Sequence, residues 1–388
     1  MNFATHVPWL ALLAGAFALL WALRRTRSGE RDWFLPFATI LLVTFGEVML
    51  VRLSPALARK QLIWISIAFG LSMLLQPWLA GFRRIATIKY TWIVLSLALV
   101  AATAIFGERV NGAKLWIRIG SLHIEPVEII KLLLVFFLAA YLAEMGDAIA
   151  KARAWSLRSN VKYLGPLFLG WGASIALLVV QRDLGMGALL LCTLLTTLYA
   201  ATRRIDLAVG AATVFGLVAF WASTHFPYVH ERIAVWLHPF ADPYGAGYQA
   251  TQSYFSIAAG GLLGTGLGLG HPGFIPDVST DYIVAAVAEE LGLLGVIALL
   301  ALYLALVRRA VSIAREQPDA FASLLAIGLA ATLGFQVVII VAGVAGVVPL
   351  TGITLPFVSY GGSSLVANVL LISLLQEVGT RHAPVHDP

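Results

Sequence analysis

The apolar positions of this chain fall in long blocks, and the polar positions are gathered between them. Blocks near 7–23, 33–51, 61–80, 90–106, 128–144, 163–180, 184–201, 205–224, 282–307, 320–342 and 362–377 carry few or no charges. A helical run of about 20 such residues covers a hydrocarbon core of roughly 30 Å. Backbone polar groups find no water there, so each block is expected as a helix, which satisfies them internally. The pattern predicts an all-α, polytopic transmembrane protein with eleven spans. Its largest polar interruption lies at about 225–280, which leaves no room for a separate soluble domain.

Composition agrees. The chain is 60% hydrophobic and 12% charged, against about 25% charged in soluble proteins. The net charge of +6 does not point to nucleic acid, because Lys and Arg in a membrane protein mark the cytoplasmic loops. One choice of sides puts the loops of Arg24, Arg25, Arg27 and Arg31, of Arg83, Arg84 and Lys89, and of Lys151, Arg153, Arg158 and Lys162 inside. Arg203, Arg204, Arg308, Arg309, Arg315 and Arg381 then fall on the same face, seventeen of the 26 basic residues. The N-terminus is expected outside and the C-terminus in the cytoplasm. Basic residues follow the first apolar block rather than precede it, which fits a retained anchor better than a cleaved signal. Three regions result: an N-terminal anchor with a basic loop (1–32), the main membrane domain (33–378) and a short cytoplasmic tail (379–388). The single cysteine, Cys192, lies mid-span and reads as a small core residue. It excludes an internal disulfide and a CxxC metal site.

The unusual sequence falls on the outward side: 107–127, the turn around 181–183, the loop 225–280 and the loop 343–361. "HPGFIPDVSTDYIVAAVAEELGLLG" (271–295) sets Asp281 at the mouth of an apolar run, with Glu289 and Glu290 two turns inside it. An unpaired carboxylate is costly at that depth. At 100° per residue, Asp281 and Glu289 are about 80° apart and are expected to share a cavity, whereas Glu290 faces elsewhere and needs its own partner. The plainer reading of Asp281, beside Thr280, is a helix cap.

Four further stretches join it. In "NGAKLWIRIGSLHIEPVEIIKLLLVFF", Pro126 starts a helix, and Glu128 and Lys131 are neighbours on one face. They form either an interfacial ion pair or part of a polar site. Trp116 is either an interfacial anchor or a sugar-stacking ring. In "QRDLGMGALLL", Arg182 and Asp183 either neutralise each other or rim a phosphate-receiving cavity. In "DPYGAGYQATQSYFSIAAGGLLGTGLGLG", Gln249, Gln252, Ser253 and Ser256 lie toward one side of an amphipathic or re-entrant helix. The glycines that follow resemble a dinucleotide fingerprint, but no strand precedes them and that function is excluded. "GVVPLTGITLPFVSYGGSSL", with Ser359 and Ser363, is irregular backbone, tolerated at this depth only when packed in protein or lining a wet cavity. Together these stretches point to one polar site facing outward.

The strings "GAKLWIRIG…PVEIIK", "QRDLGMGALLL", "DPYGAGYQATQS", "AAGGLLGTGLGLG", "TDYIVAAVAEELGLLG" and "PLTGITLPFVSYGGSSL" occur in this order. They resemble the SEDS family (shape, elongation, division and sporulation), over about residues 33–378. The resemblance implies a ten-helix membrane core, here with one extra N-terminal span, on the cytoplasmic membrane. It implies a peptidoglycan glycosyltransferase that polymerises lipid II on the outer face beside a class B penicillin-binding protein. The family's proposed catalytic Asp falls on Asp281, its motif Trp on Trp116, its E-x-x-K pair on Glu128 and Lys131, and the Asp of its DLG motif on Asp183. This chain departs from the family pattern at Val127 (Ser in many members), Arg182 (Pro) and Ser279 (His).

Such chemistry needs a carboxylate to take a proton from the acceptor sugar and cations to hold the departing diphosphate. Asp281 is the candidate general base. Lys131, Arg182 and Arg232 are candidates for the diphosphate, with a divalent cation (Mg²⁺ or Mn²⁺) as a helper that no motif reveals. Gln249, Gln252, Glu289, Ser359 and Ser363 complete the candidate substrate-binding set. A lipid II flippase would also want buried acids and cations, and a non-catalytic scaffold for the transpeptidase is a third reading. A flippase predicts repeated halves and mid-membrane polar groups. The sequence has no evident internal repeat, and its polar motifs cluster toward one face, which favours an enzyme.

Overall fold

The structure, a computed structural model, describes residues 7–26, 32–110, 113–120, 122–152, 162–167, 169–173 and 183–380. The chain enters with α1 (Val7–Thr26), α2 (Phe34–Leu53), α3 (Pro55–Leu74), two short helices α4 (Gln76–Ala80) and α5 (Phe82–Ile85), and α6 (Lys89–Phe106). Strands β1 (Glu108–Val110), β2 (Ala113–Ile119) and β3 (Leu122–Ile124) precede α7 (Val127–Lys151). Then come α8 (Leu184–Thr202), α9 (Ile205–His225), α10 (Pro227–Leu237), α11 (Tyr248–Gly260), α12 (Ile283–Glu316), α13 (Ala320–Val344) and α14 (Gly362–Gly379).

Among the described residues, nine helical segments are long and apolar enough to cross a membrane. They coincide with nine of the eleven expected spans. Of the other two, 7–23 is helical as α1, and 163–180 is helical at 163–167 and 169–173, the rest lying outside the described residues. The third span begins earlier than expected. Ser54 caps α3 by accepting from Leu57 N at 3.5 Å, and Pro55 occupies the first turn. A cap with proline behind it sets a helix start more firmly than the hydropathy edge near residue 61.

Between α6 and α7 the strands form an antiparallel three-stranded sheet in the order β1-β2-β3, which the apolar blocks did not predict. Glu108 stands opposite Trp116, and Arg118 opposite His123.

The helices sort by burial. In α14, 83% of the apolar window is buried, against 6% in α9, so α14, α7 and α13 form the centre and α9 the lipid-facing margin. Hydroxyls inside the spans return to their own helix: Thr39 donates to Leu35 O (2.8 Å), Thr193 to Leu189 O (2.9 Å) and Thr332 to Gly328 O (2.8 Å). That satisfies them without water. The loop between α13 and α14 packs into protein, as its irregular backbone requires. A methyl group on Gly46 of α2 would lie 2.7 Å from the Cα of Val358, so only glycine lets loop and helix touch there.

Candidate active site

Helix α12 is broken at Gly292 (φ 69°, ψ −171°), and the glycine loop after α11 docks into the break. Thr265 N donates to Glu289 O (2.9 Å) and Gly266 N to Glu290 O (3.0 Å); Leu293 N and Leu294 N donate to Gly261 O and Leu262 O (3.0 and 3.2 Å). The two adjacent carboxylates clamp the same loop. Glu289 accepts from the Ser256 hydroxyl (2.5 Å) and His271 N (2.6 Å). Glu290 accepts from Gly268 N (3.1 Å) and pairs with Arg52 Nε of α2 (3.0 Å), while Arg52 also donates to Gly270 O (2.8 Å). Glu290 thus has the separate partner expected of it. Glu289 is not a cavity residue beside Asp281. The 80° estimate assumed one continuous helix, but Asp281 precedes the first residue of α12, Ile283.

The alternative reading of Asp281 as a helix cap does not hold. Tyr282 holds the cap position with no side-chain bond. Asp281 instead lines a cavity of about 400 Å³ between α10, α11, the start of α12 and the loop after α13. Arg232 and Gln249, both expected, line it too, as do Glu231, Tyr254 and Trp236. Arg232 Nη1 donates to Leu350 O (3.4 Å) and Thr351 O (3.3 Å), and Gln249 Nε2 to Pro276 O (2.9 Å). Burial pushes the Asp281 carboxyl up to about 6; Asp277 adds to the shift, and the Thr280 hydroxyl and Arg232 oppose it. Ser359 steadies this corner from outside the cavity. Its hydroxyl donates to Thr280 O (2.5 Å) and accepts from Leu355 N (3.0 Å).

A second polar cluster lies at the head of α7. Lys131 is fully buried, 2.5 Å from Glu128 Oε2, and donates to Gln336 Oε1 (2.9 Å) and Asn368 Oδ1 (3.4 Å). It therefore ties α7 to α13 and α14. Ser363 accepts from Glu125 N (2.9 Å), and Asp183 caps α8 by accepting from Met186 N (3.0 Å). Burial pushes Asp183 up to about 6, with Glu128 adding to the shift and the Met186 N–H and Arg232 opposing it. Glu125 is raised well above the ordinary range by burial, then by Glu128 and Asp183, with a smaller contribution from Asp281. The cluster and the cavity therefore share one electrostatic field.

The remaining candidates lie apart. Trp116 is half-buried on β2, and Gln252 half-buried on α11, neither lining the cavity. Arg182 lies outside the described residues. Among those described, no group of three or more His, Cys, Asp or Glu side chains is arranged to hold a metal ion. Sequence reasoning missed Glu125, Gln336 and Asn368. The signal for the last two was available: a polar amide inside an apolar span is costly and marks a partner.

This fold and site define a polytopic membrane protein with a charged cavity at the heads of its helices. Residues 33–383 match the FtsW/RodA/SpoVE family of cell cycle proteins. The chain is 37% identical to the peptidoglycan glycosyltransferase RodA of Mycobacterium tuberculosis over 96% of its own length and 84% of that protein. It is 32% identical to the stage V sporulation protein E of Bacillus subtilis, over 91% and 98% respectively. The crystal structure of the Thermus thermophilus rod shape determining protein RodA aligns with a TM-score of 0.66 at 29% identity, over 90% of this chain and 96% of that one. A chain solved in a study of structural coordination of polymerization and crosslinking by a peptidoglycan synthase complex aligns at 0.74 with 32% identity, over 90% and 97%. The protein belongs to the SEDS family of FtsW, RodA and SpoVE, which contains peptidoglycan glycosyltransferases.

Proposed function

We propose that the protein polymerises lipid II into glycan strands, with Asp281 as the general base. The observation that carries this reading is the pairing of Asp281 with Arg232 in one cavity. A half-buried carboxylate near pKa 6 is ionised at neutral pH, yet basic enough to take a proton from the acceptor's 4-hydroxyl as the bond to the donor sugar forms. Arg232, in the wall of the same cavity, is the cation proposed to meet the charge that develops on the departing diphosphate. Lys131 is engaged by Glu128, Gln336 and Asn368, so its part is to set the field and hold three helices rather than to grip phosphate directly.

Catalysis on the outer face of the cytoplasmic membrane follows from the distribution of basic loops, with the N-terminus outside. A class B penicillin-binding protein is the proposed partner, supported by similarity to the chain from the peptidoglycan synthase complex. The test is Asp281→Asn with purified lipid II in liposomes. Loss of polymer by a folded variant is expected; near-normal polymer would remove Asp281 from the role. A flippase would instead show lipid II translocation without polymer, and a scaffold would show neither.

A further inference from the structure

Helix α1 precedes residues 33–383, which match the family model, yet it is built into the core. Trp21 is fully buried, and its Nε1 donates to Ser72 of α3 (2.9 Å) and Ser373 of α14 (3.3 Å). That clip holds the C-terminal end of α1. Helix α1 packs chiefly along α3 and touches α2 only slightly. A cavity of about 470 Å³ remains between α1, α2 and α3. Its mouth runs between two exposed rows, Ala11, Gly15 and Leu19 on α1 and Thr44, Val48 and Val51 on α2.

The cavity is apolar except for Thr44 and Glu47, three residues apart on α2. Glu47 of α2 lines it, and both carboxylate oxygens are shielded from solvent with no hydrogen-bond partner among the described residues. Glu47 sits six residues before the end of α2, about 9 Å below it along the axis. Carboxyls are rare inside membrane spans and are kept there with a partner. Lipid tails carry no hydrogen-bonding atoms at that depth. A neighbouring transmembrane helix does, on its side chains.

We propose that this cleft docks a transmembrane helix of a partner protein, which places a Ser, Thr, Asn, Gln or basic side chain against Glu47. The helix lies over the groove rather than inside it. With α1 and α2 still in contact, the cavity of about 470 Å³ takes that helix's inserted side chains. Small residues on α1 allow close approach of the backbone, as at other helix contacts in membranes.

The test replaces Val48 in the full chain with a photoreactive benzophenone amino acid. Intact cells are irradiated and the adduct peptide is sequenced by mass spectrometry. The expected adduct lies in the apolar segment of another membrane protein, within about one helical turn of a polar residue. Its yield falls at least fivefold with Glu47→Leu and recovers with Glu47→Gln, which keeps the hydrogen-bonding atoms. Replacing the captured helix's polar residue by Leu has the same effect as Glu47→Leu. Gly15→Leu gives an independent reading should Glu47→Leu fail to fold. A methyl group at Gly15 would meet nothing within 4 Å among the described residues, so a larger side chain there projects into the cleft and lowers the yield. Adducts only to lipid, adducts only to a second copy of this chain, no adduct, or yields indifferent to Glu47→Leu and Gly15→Leu would each overturn the proposal.

Discussion

Asp281 and Arg232 meet across Gly352. A methyl group on Gly352 would lie 3.6 Å from Asp281 Oδ2 and 4.0 Å from Arg232 Nη2, so the acid and the cation share the space above one glycine. They reach it from different elements, Arg232 from α10 and Asp281 from the turn before α12. A base and a counter-charge on opposite sides of a small gap are what a reacting hydroxyl and a departing diphosphate require.

The first prediction concerns pH. As the proposed general base, Asp281 works only when ionised, so polymerisation should fall as pH drops through about 6, with a flat region above. Stability runs the other way. The folded carboxyl is raised above its ordinary 3.8, so the folded state binds the proton more tightly. Stability contributed by this group is therefore lost as pH rises from about 4 to 6 and stays lost above. Asp281→Asn removes that penalty. The variant should be inactive yet more stable than the parent at pH 7.5, by ~1–2 kcal/mol after allowing for solvent screening. The two should converge near pH 4. Polymerisation rates and thermal unfolding in detergent across that range check both signs.

Gly352 itself supplies the second. Its φ of 74° disfavours any side chain, and the space above it is faced by the Asp281 carboxylate and the Arg232 guanidinium. Gly352→Val should lower the rate at least ~100-fold, since a misplaced reacting geometry costs on that order. Unfolding temperature should change far less than activity. Equal loss of both would mean that the glycine serves packing alone.

Much of this was legible in the sequence, and the rest failed for identifiable reasons. Long apolar blocks fix helices because hydrocarbon leaves the backbone no alternative, so the spans could be read off directly. Asp281 and Arg232 were both named beforehand, from an acid at the mouth of a span and a cation in the outward loop. Glu289 was misplaced because angular reasoning along a helix needs the helix to include both residues. The break at Gly292 was hidden for a related reason: the sequence "EELGLLG" is compatible with continuous helix, and only the docked loop at 261–271 makes the positive φ favourable there. The strands at 108–124 were hidden because short, half-polar strands carry little periodic signal.

Membrane orientation gives a third prediction. Cys192 is the single cysteine, so Cys192→Ala leaves a background for labelling. In that background, Asp242→Cys should react with an impermeant maleimide added outside intact cells. Arg83→Cys should react only after permeabilisation. The opposite pattern would invert the topology and put the Asp281 cavity on the cytoplasmic side.

The buried lysine supplies the fourth. Lys131 neutralises Glu128 and satisfies Gln336 and Asn368, in a place with no exposed surface. Lys131→Met leaves the carboxylate unpaired and should destabilise the protein by about 3–5 kcal/mol. Adding Glu128→Leu removes the stranded charge and should restore a large part of that loss. Gln336→Leu leaves Thr354 O without its donor (2.9 Å) and should cost less, about 1–3 kcal/mol. Thermal unfolding of the parent and the three variants checks the ordering. If the double variant is no more stable than Lys131→Met, the pair is not the unit that the geometry describes.

The last prediction concerns the break in α12. A methyl group on Gly292 would fall 2.3 Å from Gly264 N and 2.5 Å from Leu262 O, against backbone that cannot give way cheaply. The left-handed φ is unfavourable for alanine as well. Gly292→Ala should therefore expel the loop at 261–271, straighten α12 and strand Glu289 and Glu290 without their backbone donors. Arg52 would lose Gly270 O at the same time. The expected cost is at least ~2 kcal/mol, with protease cleavage appearing in the loop before global unfolding. Activity should fall too, because the loop and α11 carry Gln249 to the cavity wall beside Asp281. Limited proteolysis read by mass spectrometry separates this from a general loss of fold: early cleavage confined to 261–271 supports the docked loop, and uniform cleavage along the chain does not.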